Sequence, residues 1–375
     1  MRNQSFATPF NAASPDAISR RQFLRLGGTS LAGAVLLGTA GGKALAQTGP
    51  SLKSEFDSAA KKYNVPVELL LAMGYYNTLW EMPPPTASDY QKGDIEGRGD
   101  YGIMQLTQNP FRDTLGKAAS LTDLSEEQIK NDRAANIEAG AAFLSDIVGQ
   151  TKPSDLNGWR EAVAQYADTD LYATDVYSVL KSGESKTIST GESVELAPQN
   201  VDVPQVYTAM ANYSDYPPAA WRPASRYNYT GSSRERSYDI NRIIIHVTQG
   251  SYVGAIRWFQ NSGASVSAHY VVSKAGDISQ CVRNKNIAWH AGNWTYNCHS
   301  IGIEHAGYVS GYFTRTQYRQ SARLTAWNCK KHRIPIDRTH IIGHYQVPGS
   351  DHTDPGPHWN WDYYMRWVNY YRRRL

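Results

Sequence analysis

Gly343-His344-Tyr345-Gln346-Val347-Pro348-Gly349-Ser350-Asp351-His352-Thr353-Asp354-Pro355-Gly356-Pro357 gathers imidazoles and carboxylates into a loop broken by Pro and Gly, directly after the strand-like run Thr339-His340-Ile341-Ile342. Such a loop reads as half of a metal site. The other half is His246, which closes the apolar run Arg242-Ile243-Ile244-Ile245 and so stands at the mouth of a buried strand. All ten histidines of the chain lie between His246 and His358. A catalytic zinc site takes three ligands from His, Cys, Asp or Glu and keeps a fourth position open; His246, His344 and Asp354 would supply two imidazoles and a carboxylate. Spacing alone also suits a plain structural histidine, hydrogen-bonded at a strand end.

Working outward, candidate strands at 242–248, 268–273, 278–282, 300–306 and 339–343 alternate with helices at 253–261, 314–333 and 361–373. The pattern predicts an α/β domain with a mixed central sheet flanked by helices. Ligands at strand ends and in the following loop suit the usual place of a site in such a sheet. Residues 207–236, with Pro217-Pro218 and Pro223, carry few regular signals and would wrap over this domain.

Four segments sharpen the reading: Ile243-Ile244-Ile245-His246-Val247-Thr248, Ser265-Val266-Ser267-Ala268-His269-Tyr270-Val271-Val272, His299-Ser300-Ile301-Gly302-Ile303-Glu304, and the loop from Gly343-His344 to Pro357. In this order they resemble the zinc-dependent N-acetylmuramoyl-L-alanine amidases, a family that includes the peptidoglycan-recognition proteins. The resemblance implies that His246, His344 and Asp354 hold Zn²⁺. It favours Asp354 over Asp351, because Pro355-Gly356-Pro357 is the turn with which the family presents its third ligand. Glu304 matches the position of the family's catalytic Glu, a proton acceptor. His352 stands where relatives place a Lys or another donor that stabilises the oxyanion. His290, in Ala288-Trp289-His290-Ala291-Gly292, matches a substrate-groove motif, whereas His269 reads equally well as a core histidine. The implied reaction is hydrolysis of the amide between the lactyl group of N-acetylmuramic acid and the L-alanine of the peptidoglycan stem. The alternative is a non-catalytic peptidoglycan-binding protein, against which the full set of His246, His344, Asp354 and Glu304 argues.

A length of 375 residues suggests a second domain. Ser19-Arg20-Arg21-Gln22-Phe23-Leu24-Arg25 and the Gly/Ala/Leu-rich run after it resemble a twin-arginine export signal, with Ala44-Leu45-Ala46 as its cleavage site. Residues 1–46 are therefore set apart from the fold, and the mature chain is expected outside the cytoplasm, at the cell wall, with no stable membrane span. Next come helices expected over 52–63, 65–81, 126–148, 158–167 and 175–180. Leu70-Leu71-Ala72-Met73-Gly74-Tyr75-Tyr76-Asn77-Thr78-Leu79-Trp80 and Tyr101-Gly102-Ile103-Met104-Gln105-Leu106 resemble the lysozyme-like lytic transglycosylases, which makes 51–182 a mainly α domain. Where that family has Glu-Ser-x-Trp, this chain has Asn77-Thr78-Leu79-Trp80. An amide can neither protonate a leaving oxygen nor take a proton back, so the domain reads as degenerate, a glycan binder or a scaffold. Tyr75, Tyr76, Trp80 and Tyr101 are candidates for sugar stacking or for core. A bifunctional autolysin would require Glu81, one helical turn beyond Asn77, or Asp100 to replace the missing acid. The polar stretch 183–206 reads as a linker to an amidase domain over 207–375.

Charge divides along the same boundary. Residues 47–200 hold 13 Lys/Arg against 23 Asp/Glu, and residues 201–375 hold 20 against 10. Opposite signs suit mutual docking or separate roles, with the basic half drawn to an anionic wall, and neither half implies nucleic acid. Cys281, Cys298 and Cys329 form an odd set without C-x-x-C spacing. The first two could pair after export, and Cys329 fits a buried thiol.

Overall fold

Ser51 opens the first helix by accepting the backbone N–H of Ser54, and the helix, Leu52–Tyr63 (α1), ends where Asn64 turns left-handed. The computed structural model describes residues 49–203, 214–231 and 234–375. The expected export signal lies outside them. Among the described residues no helix is long and apolar enough to cross a membrane.

After Pro66 comes α2 (Val67–Thr78), in which every residue from Leu69 to Gly74 is buried. A helix apolar all round belongs at the centre of its domain. It stops at Thr78 because Leu79 and Trp80 turn left-handed, at φ 57° and 62°, with the Trp80 indole N–H donating to the Leu71 carbonyl at 2.8 Å. The expected helix through residue 81 is thus corrected. Neither Leu nor Trp announces such a turn as Gly or Asn would. Strands β1 (Asp100–Tyr101), β2 (Leu106–Asn109) and β3 (Arg112–Asp113) form a small antiparallel sheet. Then follow α3 (Thr114–Ser120), α4 (Glu126–Asn131), α5 (Arg133–Val148), α6 (Arg160–Ala167) and α7 (Asp170–Ser182). The single helix expected over 126–148 is broken at Asp132, whose side chain caps α5 by accepting from Ala135.

Within the stretch read as a linker, β4 (Glu184–Thr187) and β5 (Ser193–Leu196) form a hairpin. Val194 and Leu196 alternate into the helical core, and Glu192 pairs with Arg133 at 2.8 Å. With Ile188 also in that core and Lys186 and Ser189 bonded to Glu81, the segment is packed against the helices rather than a free tether.

The C-terminal half comprises β6 (Ala220–Trp221), β7 (Tyr229–Thr230), α8 (Arg234–Ser237), β8 (Arg242–Val247), α9 (Tyr252–Gln260), β9 (Tyr270–Val272), β10 (Ile278–Gln280), β11 (Ile287–Ala288), α10 (Trp294–His299), β12 (Ser300–His305), α11 (Arg315–His332), β13 (Ile341–Gly343) and α12 (Trp361–Arg372). Six strands pair in the order β13-β8-β12-β9-β10-β6. All neighbours are parallel except β9 and β10, which gives the expected mixed sheet. Successive side chains of a strand point to opposite faces. Ile243, Ile245, Ile301, Ile303 and Ile341 face one way and pack with Tyr318, Leu324, Tyr364 and Val368 of α11 and α12. The other face is thereby left to His246, Gly302 and Glu304.

The halves share a core. Tyr252, Val253, Ile256, Trp258 and Phe259 of α9 belong to the same cluster as the buried side chains of α1, α2 and α5, and residues 47–375 form one compact unit. Cys281, Cys298 and Cys329 are all buried free thiols. Cys281 follows β10 and Cys298 sits in α10, and the pairing left open for them is not made.

Candidate metal centre

Parallel pairing of β12 with β8 sets Glu304 beside His246. On the other side of β8, β13 ends at Gly343 and delivers His344 to the same sheet end. Asp354 returns over that end from the following loop, its Oδ2 accepting the Val247 N–H at 3.2 Å. The same oxygen lies 3.3 Å from His246 Nδ1, and Oδ1 lies 3.1 Å from His344 Nδ1. The ligand atoms of His246, His344 and Asp354 fall within 4.8 Å of one another, and all three side chains are buried. His246 Nδ1, His344 Nδ1 and Asp354 Oδ1 have no hydrogen-bond partner among the described residues. Buried polar atoms are ordinarily satisfied; a convergent, unsatisfied set of two imidazole nitrogens and one carboxylate oxygen fits a divalent cation.

Charge state supports that fit. Burial, with His344 adding, lowers the His246 pKa to about 4, so its ring is neutral and keeps a free lone pair. Burial opposes ionisation of Asp354, but His344 and His246 outweigh it and hold the carboxyl well below its usual range.

His290 lies behind His246. Its Nδ1 is 2.9 Å from His246 Nε2, and its Nε2 is 3.2 Å from Ser300 Oγ. Gly302 makes the space, since a Cβ there would come within 2.5 Å of the His290 ring. At 2% exposure His290 is as buried as the candidate ligands themselves, and its contacts here are with His246 and Ser300 rather than with an open groove. Local motif matching placed it near the centre but could not tell which side of His246 it would occupy. His269 is a core histidine: Nδ1 accepts the Gly302 N–H at 3.1 Å, and Nε2 meets the buried Arg234 at 3.0 Å.

Glu304 is 1% exposed, and neither of its oxygens has a hydrogen bond. Burial, then the Asp354 and Glu96 carboxylates, push its pKa well above the ordinary value. His352 stacks on His344, with ring centroids 4.2 Å apart and planes at 21°. Its Nδ1 lies 3.5 Å from Glu96 Oε2. Burial works against the charged imidazole, yet Glu96 more than offsets it and raises the His352 pKa to about 10. Glu96 comes from the helical half, and the sequence showed it only as one acid in a polar loop rich in Asp and Gly.

The acid position of the helical half is filled differently. Asn77 donates to the Ile103 carbonyl at 3.3 Å and accepts from the Tyr172 hydroxyl at 3.1 Å. Because α2 ends at Thr78, Glu81 leaves the Asn77 face altogether; it accepts from Lys186 at 2.6 Å and from Ser189. Burial would raise the Glu81 pKa, but Lys186 and Ser189 together lower it, so the carboxyl stays ionised. Asp100 pairs with Arg98 at 3.0 Å and accepts from Thr107. Both carboxylates are engaged in these contacts. Only about 30 Å³ remains between Asn77, Met104 and Tyr172 on one side and Ser251, Val253 and Gly254 on the other. Trp80 and Tyr101 are core aromatics, and Tyr75 and Tyr76 are half-buried.

Residues 236–357 match the family described as N-acetylmuramoyl-L-alanine amidase, and residues 54–171 match the transglycosylase SLT domain. The chain is 36% identical over 176 residues to N-acetylmuramoyl-L-alanine amidase A of Achromobacter lyticus, an alignment covering 41% of this chain and 96% of that protein. It is 37% identical over 102 residues to 1,6-anhydro-N-acetylmuramyl-L-alanine amidase AmpD of Citrobacter freundii, covering 26% of this chain and 54% of that one. A crystal structure of a selenomethionine AmpD derivative aligns at 26% identity and a TM-score of 0.34, over 41% of this chain and 96% of the other.

Proposed function

This chain belongs to the N-acetylmuramoyl-L-alanine amidase family, and from that premise we propose that His246, His344 and Asp354 hold a zinc ion at which the lactyl amide of the peptidoglycan stem is hydrolysed. The chain is a peptidoglycan amidase joined to a lysozyme-like half. The observation that carries the zinc assignment is the trio of buried ligand atoms, none of them hydrogen-bonded, that converge at one sheet end. When bound, zinc supplies Lewis acidity, polarising the scissile carbonyl and lowering the pKa of a water molecule toward ~7.

The chain's own residues supply the rest. Glu304, one strand over from His246, accepts the proton of the attacking water and returns it to the departing L-alanine nitrogen. Its raised pKa suits a group that must hold a proton between those two events, and a bound cation nearby opposes the rise. His352, stacked on His344, donates to the carbonyl oxygen as negative charge develops there. His290 holds the far nitrogen of His246, so that Nδ1 faces the ion. The products are a muramic acid with a free lactyl carboxylate and a stem peptide with a free L-alanine amine.

We assign residues 1–46 to a twin-arginine signal, and the mature chain to the cell wall. The organisation is read as a degenerate lysozyme-like domain over 51–182, a connecting segment over 183–206 and an amidase domain over 207–375. Mass spectrometry of the soluble products from purified peptidoglycan, with and without a chelator, tests the reading. Stem peptides beginning at L-alanine, lost on chelation, are expected. Cleavage that survives chelation would remove zinc from the account, and absence of any product would leave a binding protein.

A further inference from the structure

Glu96 lies far from the amidase domain in sequence but within its centre in space. It sits on the loop 88–98, between α2 and β1. Asp94 shapes this loop, its Oδ1 accepting the backbone N–H of Glu96 at 2.7 Å and of Gly97 at 3.0 Å. Gly97 allows the tight path, since a Cβ there would come within 2.8 Å of the Gln91 nitrogen. Two anchors flank Glu96. The Trp258 indole N–H donates to the Asp94 carbonyl at 3.3 Å. The buried Arg98 guanidinium donates to the Thr248 carbonyl and, at 2.9 Å, to that of Gln249. Both partners belong to the amidase half, so the lysozyme-like loop is pinned to the segment that follows His246.

The pinned carboxylate closes the centre. Glu96, His352 and Asp354 present ligand-type atoms within 4.8 Å of one another. Glu96 Oε1, Asp354 Oδ1, His246 Nδ1, His344 Nδ1, His352 Nδ1 and both Glu304 oxygens are buried from solvent and lack hydrogen bonds among the described residues. A hydrolase has to bring a carbonyl carbon and a water molecule to these atoms. In this structure all of these atoms are buried from solvent, and Glu96 is among the groups packed over them.

We propose that the loop 88–98 is a built-in inhibitor: the Glu96 carboxylate takes the place beside His352 and Asp354 that the amide oxygen of the substrate needs, and the lysozyme-like half keeps the amidase closed until the loop withdraws. The idea rests on the amidase reading above. A carboxylate suits the task because it carries the same negative charge that the centre is built to receive in the transition state. The closed form lowers apparent substrate affinity by the fraction of molecules that are open.

The test uses the zinc-loaded mature chain and its Glu96→Gln and Glu96→Ala variants, with cooperative thermal unfolding as the check on folding. Two rates are measured: hydrolysis of a soluble muramyl peptide, and withdrawal of zinc by phenanthroline. Both variants are expected to raise kcat/KM by about 10- to 100-fold, chiefly through KM, and to lose zinc faster by a similar factor. Faster zinc loss with lower activity would make Glu96 a supporting member of the centre and overturn the proposal. Equal rates of zinc loss would overturn it as well. Faster zinc loss in variants that, like the parent, cleave no muramyl peptide would leave the closing loop standing and defeat the amidase reading instead.

Discussion

Each half of the chain matches a peptidoglycan-cutting family, and the two treat their polar groups in opposite ways. At the amidase centre, buried nitrogens and oxygens converge without partners. In the helical half, Asn77 is satisfied on both sides, by Ile103 and Tyr172. A centre that holds an ion or moves protons leaves atoms unmatched for that purpose; a position that serves as core matches them. The helix α9 links the two outcomes, since it lies over the Asn77 pocket and carries the shared core between the halves.

The comparison is tested hardest at the amidase centre. His246→Ala is expected to lose both bound zinc and amide cleavage, whereas Glu304→Ala should keep zinc and lower kcat by about 10²- to 10⁴-fold. Elemental analysis beside a product assay separates them, and an active Glu304→Ala enzyme would remove the proton acceptor from the account. A smaller effect is expected behind the centre. His290→Ala should weaken zinc binding by about 10- to 100-fold in a competition titration, and unchanged affinity would make His290 simple packing.

Smaller still is a pH effect in the helical half. Burial raises the Asp175 pKa to about 7 although the Tyr76 hydroxyl donates to it at 2.7 Å. Its folded pKa thus lies above its unfolded value, so the contribution to stability is complete below about pH 4 and is lost as pH rises through about 7. Asp175→Asn should therefore melt progressively higher relative to the parent, by a few degrees, as pH goes from about 4.5 to about 8. A constant difference between the two melting curves would contradict the assignment. The smallest expected effect is none. Asn77→Glu restores a carboxyl but leaves α9 in the groove, so anhydro-muramyl products should remain absent; their appearance would show that glycan reaches the pocket.

What the sequence disclosed follows from which interactions are local. The apolar stretches of β8 and β12 announced the buried sheet, and the family resemblance pointed to His246, His344 and Asp354, which the parallel sheet and the following loop bring together. The end of α2 could not, because Leu79 and Trp80 adopt a left-handed turn held by a tertiary indole contact. The hairpin at 184–196 was hidden in polar composition, its burial resting on Ile188, Val194 and Leu196. Glu96 was out of reach for a different reason. Nothing local separates it from Asp89 or Asp94, and only the docking of the two halves brings it to His352.

The most direct measurement of the central claim is a titration of the metal-stripped mature chain with Zn²⁺, following the release of peptides with an L-alanine amino terminus from purified peptidoglycan. The account predicts no release without metal, full restoration at one zinc per chain, and no restoration in His246→Ala at any zinc concentration. Release by the stripped protein, or restoration in His246→Ala, would contradict it.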